Sequence, residues 1–109
     1  MKHDFGLLPW IPGDERYDAY LPERIDISID DEDIEPLMEE LDKIPSYYHT
    51  RLVPGMGLAY CGITLIPPDS AARFAAIFHS GNGDGRYSQA AALFERAAQE
   101  GKFIIHFGL

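Results

Sequence analysis

Two histidines in β-type runs, His49 in SYYHTRLV and His106 in KFIIHF, are the residues best suited to chemistry in this sequence. An imidazole titrates near neutrality and acts as a general base when a carboxylate orients it. Asp26 and Asp30, on the alternating run RIDISID, are the carboxylates available for that role. No nucleophile motif of the G-x-S-x-G type accompanies either histidine. A strand histidine in that setting is ordinarily a hydrogen-bonded structural residue, so no catalytic residue is assigned. Zinc needs three or four ligands at characteristic spacing. His3, His49, His79 and His106 are scattered, with no H-x-x-x-H or C-x-x-C, and neither a metal nor a cofactor is expected. Cys61, the single cysteine, falls on the face assigned to the core, where a thiol acts as packing.

The glycine-rich stretch FHSGNGDGRYS, residues 78–88, resembles a ligand loop at first sight. With Gly85 at the sixth position of a calcium loop, Ser80 stands first and Ala91 stands where the bidentate Glu belongs. No Lys follows the glycines, as a phosphate loop requires. A dinucleotide fingerprint would follow a strand, whereas this loop follows a helical pattern. It reads as a helix–helix connection, with weak cation binding at Asn82 and Asp84 as the residual alternative.

The elements that position these residues follow from periodicity. Ile25, Ile27 and Ile29 alternate with Asp26, Ser28 and Asp30, which predicts a half-buried strand. Ile34, Leu37, Met38, Leu41 and Ile44 then recur at helical spacing up to Pro45, with Pro36 near the first turn. SYYHTRLV and GLAYCGITLI flank Pro54–Gly57 and read as a hairpin. PPDSAARFAAIFHS and SQAAALFERAAQEG read as helices, the second with Ser88 as its cap and Gly101 as its stop. KFIIHF reads as a closing strand. The expected fold class is α+β: a ferredoxin-like βαββαβ sandwich with a four-stranded antiparallel sheet, helices on one face, and the second crossover split into two helices. The chain reads as one domain, 1–109, with an irregular arm over residues 1–22 and a body from 23. The arm carries Phe5, Trp10, Tyr17 and Tyr20, too many aromatics for a disordered tail.

Alternation also assigns the faces. Ile25, Ile27, Ile29, Ala59, Cys61, Ile63, Leu65, Phe103, Ile105 and Phe107 are expected to face the helices. Asp26, Ser28, Asp30, Tyr60, Thr64, Ile66, Lys102, Ile104 and His106 are then expected on the open face, joined from the edge strand by Tyr47, His49 and Arg51. Tyr47, His49, Arg51, Tyr60, Asp26, Ser28 and His106 are accordingly the candidate ligand- or partner-binding set. Three occupants of this face stand open: the arm itself, a second copy in a homodimer, or a pocket or foreign partner.

Charge narrows the function classes. The net charge is −9, and residues up to Asp42 carry −11 while the rest carry +2. Such a chain repels phosphate backbones, and Asp26 and Asp30 on the sheet face would meet an RNA strand badly, so nucleic-acid binding is not expected. Pro9, Pro12, Gly13 and Asp14 interrupt any secretory leader, and no apolar run approaches the ~18 residues of a membrane span. These features and the lone cysteine point to a cytoplasmic location. The reading is a small acidic interaction protein without catalytic activity, of immunity or inhibitor type, neutralising a basic protein partner. The alternative is a small dimeric ligand-binding protein or enzyme using the polar-aromatic open face, for which a cavity of roughly 300 Å³ or more would be expected there.

Overall fold

The computed structural model describes residues 1–81, 85 and 87–109. Asn82 and Asp84, the residual cation-binding candidates, lie outside the described residues.

The fold is α+β, built on one six-stranded antiparallel sheet rather than the four-stranded ferredoxin-like sheet expected from the alternation. Its strands are β1 (Lys2–Leu7), β2 (Ile27–Asp30), β3 (Pro45–Tyr48), β4 (Pro54–Met56), β5 (Ile63–Ile66) and β6 (Ile104–Phe107), in the order β2-β1-β6-β5-β3-β4. Two strands account for the difference. The first lies in the segment read as irregular: His3, Phe5 and Leu7 alternate with Lys2, Asp4 and Gly6, and this strand inserts between β2 and β6. The second is Pro54–Met56, read as the hairpin turn, which pairs back on β3. Pro54 is tolerated as the first residue of a strand at the sheet edge, and Tyr48 donates its hydroxyl to the Met56 carbonyl at 2.5 Å. The turn itself falls on residues 49–53.

The helical segment after β2 is broken. It runs as α1 (Asp31–Ile34), a 3-10 turn (Glu35–Leu37) and α2 (Met38–Leu41). Pro36, with no N–H to donate, divides it. The two long helices, α3 (Pro68–Ser80) and α4 (Ser88–Glu100), match the predicted periodicities. Gly101 ends α4 in the left-handed conformation that favours glycine, with φ 67.

Both faces of the sheet are buried. On one, Phe5, Ile29, Ile66 and Ile104 pack with Phe74, Phe78, Leu93 and Phe94 of the helices. On the other, Ile63, Leu65, Ile105, Phe107 and Phe103 pack with Leu8, Tyr17, Leu21 and Ile25 of the arm and its approach to β2. The expected facing of β5 and β6 is therefore inverted: Ile63, Leu65, Ile105 and Phe107 meet the arm, and Ile66 and Ile104 meet the helices. All four residues of β5 and of β6 are buried, so their alternation alone does not distinguish the two faces. Cys61, expected in the core, is exposed because it stands in the loop before β5 rather than in the strand.

The arm is fastened by its backbone. Leu8 donates to Phe103 O at 2.9 Å and Tyr17 to His49 O at 2.7 Å. Arg51 Nη1 donates to Pro12 O at 2.7 Å. The return of the arm at a 3-10 turn (Pro22–Arg24) presses directly on β1: a Cβ on Gly6 would sit 1.5 Å from the Arg24 carbonyl oxygen. Gly6→Ala is therefore expected to cost more than about 3 kcal/mol, since backbone opposes it and no flexible side chain can yield. Gly101→Ala, with open space around the Cβ and only an unfavourable φ to bear, is expected to cost about 1 kcal/mol. Urea unfolding of the two variants checks the ranking; equal losses would show that the arm does not press on Gly6.

Candidate functional site

The inverted facing carries His106 into the helix-side core, where it is fully buried opposite Phe5 and beside Thr64. There it meets a second fully buried histidine, His3 of β1. His3 Nδ1 and His106 Nε2 are 2.8 Å apart, and the rings stack with centroids 5.1 Å apart. His3 Nε2 lies 2.8 Å from Asp31 Oδ1, and His106 Nδ1 lies 3.1 Å from Thr64 Oγ1. The Ala59 N–H donates to the same hydroxyl at 2.9 Å.

With both rings neutral, one direction of donation satisfies every atom of this chain. Ala59 N–H donates to Thr64, Thr64 O–H to His106 Nδ1, His106 Nε2–H to His3 Nδ1, and His3 Nε2–H to the Asp31 carboxylate. The chain thus runs from β5 through β6 and β1 to α1, ending at a carboxylate near the surface. Next to it stands Tyr60, exposed, with its ring 6.4 Å from His3; the charge of Asp31 is the main influence raising its phenol above the ordinary range. Neither imidazole reaches solvent, so neither can touch a substrate. Their chemistry is positional: they tie four elements together.

The remaining sequence candidates separate. Tyr47, His49 and Arg51 lie on the arm side. Tyr47 packs into the apolar cluster there, and Arg51 stands over the Phe103 ring at 5.5 Å. His49 lies in the turn after β3 with φ 65, its Nδ1 2.9 Å from Tyr17 O and 3.3 Å from Asp18 Oδ1. The carboxylate beside it is therefore Asp18 of the arm, not Asp26 or Asp30. Ser28, across the sheet on β2, donates to Asp4 at 2.5 Å. Asp26 accepts from the Leu7 N–H at 2.8 Å and lines a cleft with Arg24, Arg96 and Lys102. Tyr60 stays exposed by Asp31, and His106 is enclosed. One continuous open surface does not form, because the arm occupies the face assigned to it. Two residues of the buried chain escaped sequence reasoning as partners of His106: His3, whose alternation with Phe5 and Leu7 was the available signal, and Asp31, in the acidic run that opens the helical segment. Among the described residues, no group of three His, Cys, Asp or Glu side chains is placed to hold a metal ion, and no helix is long and apolar enough to cross a membrane.

Comparison with protein-family models, with curated proteins and with solved structures finds no match.

The buried pair sets an acid response. Burial, and after it the positive charge His3 carries when protonated, lowers His106 from 6.5 to about 3. Between those values the unfolded chain takes up a proton that the folded one refuses, so stability falls as pH is lowered from about 6.5 towards 3 and levels off below. The urea midpoint is expected to drop between pH 7 and pH 4.5. His106→Leu is expected to flatten that drop while costing about 1–3 kcal/mol at pH 7, since it leaves His3 and Thr64 each short of a partner. An undiminished drop in the variant would place the acid sensitivity elsewhere.

Proposed function

We propose that this chain is a non-catalytic binding protein for a basic protein partner, received on the acidic helical segment 31–41 and on Tyr60. The observation that carries the reading is Tyr60 itself, 58% exposed, with its phenol held above the ordinary range chiefly by the charge of Asp31. An aromatic ring in a field of carboxylates matches a surface rich in Arg and Lys. The ring offers its face to a cation, and the charges steer the approach. Glu32, Glu35, Glu39 and Glu40 are all exposed along the same broken helix, and Asp30 is exposed just before it. An exposed tyrosine is also a residue that commonly anchors protein interfaces.

An immunity- or inhibitor-type role is the concrete form of this function. A small acidic protein covering the cationic face of an enzyme gains association rate from its charge and residence time from a buried aromatic anchor. The two contributions separate experimentally. Tagged protein is used to capture partners from cells of its own source at low and at moderate salt. A partner of high isoelectric point is expected in both. Tyr60→Ala is expected to weaken its retention at moderate salt at least tenfold, and Glu32→Gln with Glu35→Gln to slow its association chiefly at low salt. Recovery of basic proteins that is insensitive to Tyr60 and vanishes at moderate salt would mean non-specific attraction and would overturn the reading.

A further inference from the structure

Where the arm crosses the end of β5 and β6 it leaves a cleft of about 170 Å³, lined by Asp18, Tyr20, His49, Gly62, Ile63 and Phe107. We infer that this cleft binds a single-ring aromatic compound bearing an O–H or N–H donor, with His49 Nε2 as the acceptor.

The volume sets the size class. An apolar cavity of about 150 Å³ accepts benzene, so a cleft of about 170 Å³ has room for one six-membered ring. Its apolar surface comes from Ile63 and Phe107, with the Tyr20 ring edge-on to Phe107 at 5.2 Å. The Tyr20 hydroxyl donates its proton to Asp4 at 3.0 Å.

His49 is held for this role from three directions. Its N–H donates to Ile63 O at 2.9 Å, its carbonyl accepts from Tyr17 N at 2.7 Å, and its Nδ1 faces Tyr17 O and Asp18 Oδ1. Both neighbours of Nδ1 are acceptors, so Nδ1 carries a proton, and in the neutral ring Nε2 presents a lone pair. These bonds hold a positive φ that costs a non-glycine residue of order 1–3 kcal/mol. Fastening the arm accounts for Nδ1 and the backbone, and leaves Nε2 unexplained. Gly62 supplies the explanation. With φ 104 and a virtual Cβ only 2.7 Å from Nε2, this position would cap the acceptor if it held any other residue. The glycine leaves space beside Nε2, and both residues line the cleft.

The probe is phenol, with anisole as the matched ring whose oxygen has no hydrogen to donate. Nuclear magnetic resonance of uniformly ¹⁵N-labelled protein reads both ring nitrogens and the amides. The Nδ1–H tautomer is expected for His49 in the free protein. Phenol is expected to move His49 Nε2 and the Gly62 and Phe107 amides along one saturable curve, and anisole to bind at least tenfold more weakly. An Nε2–H tautomer, shifts that do not saturate, or shifts that map elsewhere would overturn the inference. So would equal binding of phenol and anisole, since it would leave an apolar niche without a directing acceptor. The wild-type protein suffices for every arm of the experiment, so loss of folding in a variant does not enter.

Discussion

A sheet with apolar side chains on both faces has to be covered twice, and the helices of this chain cover one face. Everything distinctive in the architecture follows from that constraint. Phe74, Phe78, Leu93 and Phe94 close the helix side. The other side falls to a segment with no regular structure between Leu7 and the 3-10 turn at Pro22, held by Tyr17, Leu21 and backbone hydrogen bonds. Irregular chain can lie on an apolar surface only if its own polar groups find partners. The Tyr17 N–H, the Pro12 carbonyl and the Leu8 N–H all find them in the turn after β3 and next to β6. The position of His49, with its unusual backbone, is part of the same solution, since it receives the arm at Tyr17.

The buried histidine chain bears on uniqueness more than on raw stability. A hydrogen bond contributes about 1 kcal/mol net, whereas an orphaned buried group costs more. A sheet is also sensitive to register, because a slip of one residue turns every side chain to the opposite face. His3 paired with His106 makes such a slip of β1 against β6 expensive, since it would expose one imidazole to the arm-side apolar cluster and strand the other. The contact thus selects one alignment for the strand that joins β2 to the rest of the sheet.

Local pattern revealed much of this fold and little of its connectivity. The alternation of Ile27 and Ile29 with Ser28 marked β2, and the stripes through Phe74 and Phe78 and through Leu93, Phe94 and Ala97 marked the long helices. The first strand was hidden because its six residues adjoin Pro9, Pro12 and Gly13, whose punctuation dominated the reading. The fourth was hidden because Pro54 and Gly55 carry turn chemistry, although an edge strand tolerates both. Facing was ambiguous for a different reason: in Ile63–Ile66 and Ile104–Phe107 both parities are buried, and amphipathic logic needs one wet side. The candidate set suffered accordingly. His106 and His49 were recognisable as unusual, yet their partners His3, on β1, and Asp18, in the arm, both fall in the segment read as irregular, and the two buried imidazoles are 103 positions apart in the chain.

The placement of β1 has a consequence for biosynthesis. Residues 2–7 leave the ribosome long before residues 104–107, yet one edge of that strand has no ladder partner until those residues follow. Until then β1 can pair only with β2, and its other edge must wait beside solvent or a chaperone. Native closure is therefore a late event of long loop, set by the slow entropy of joining distant segments.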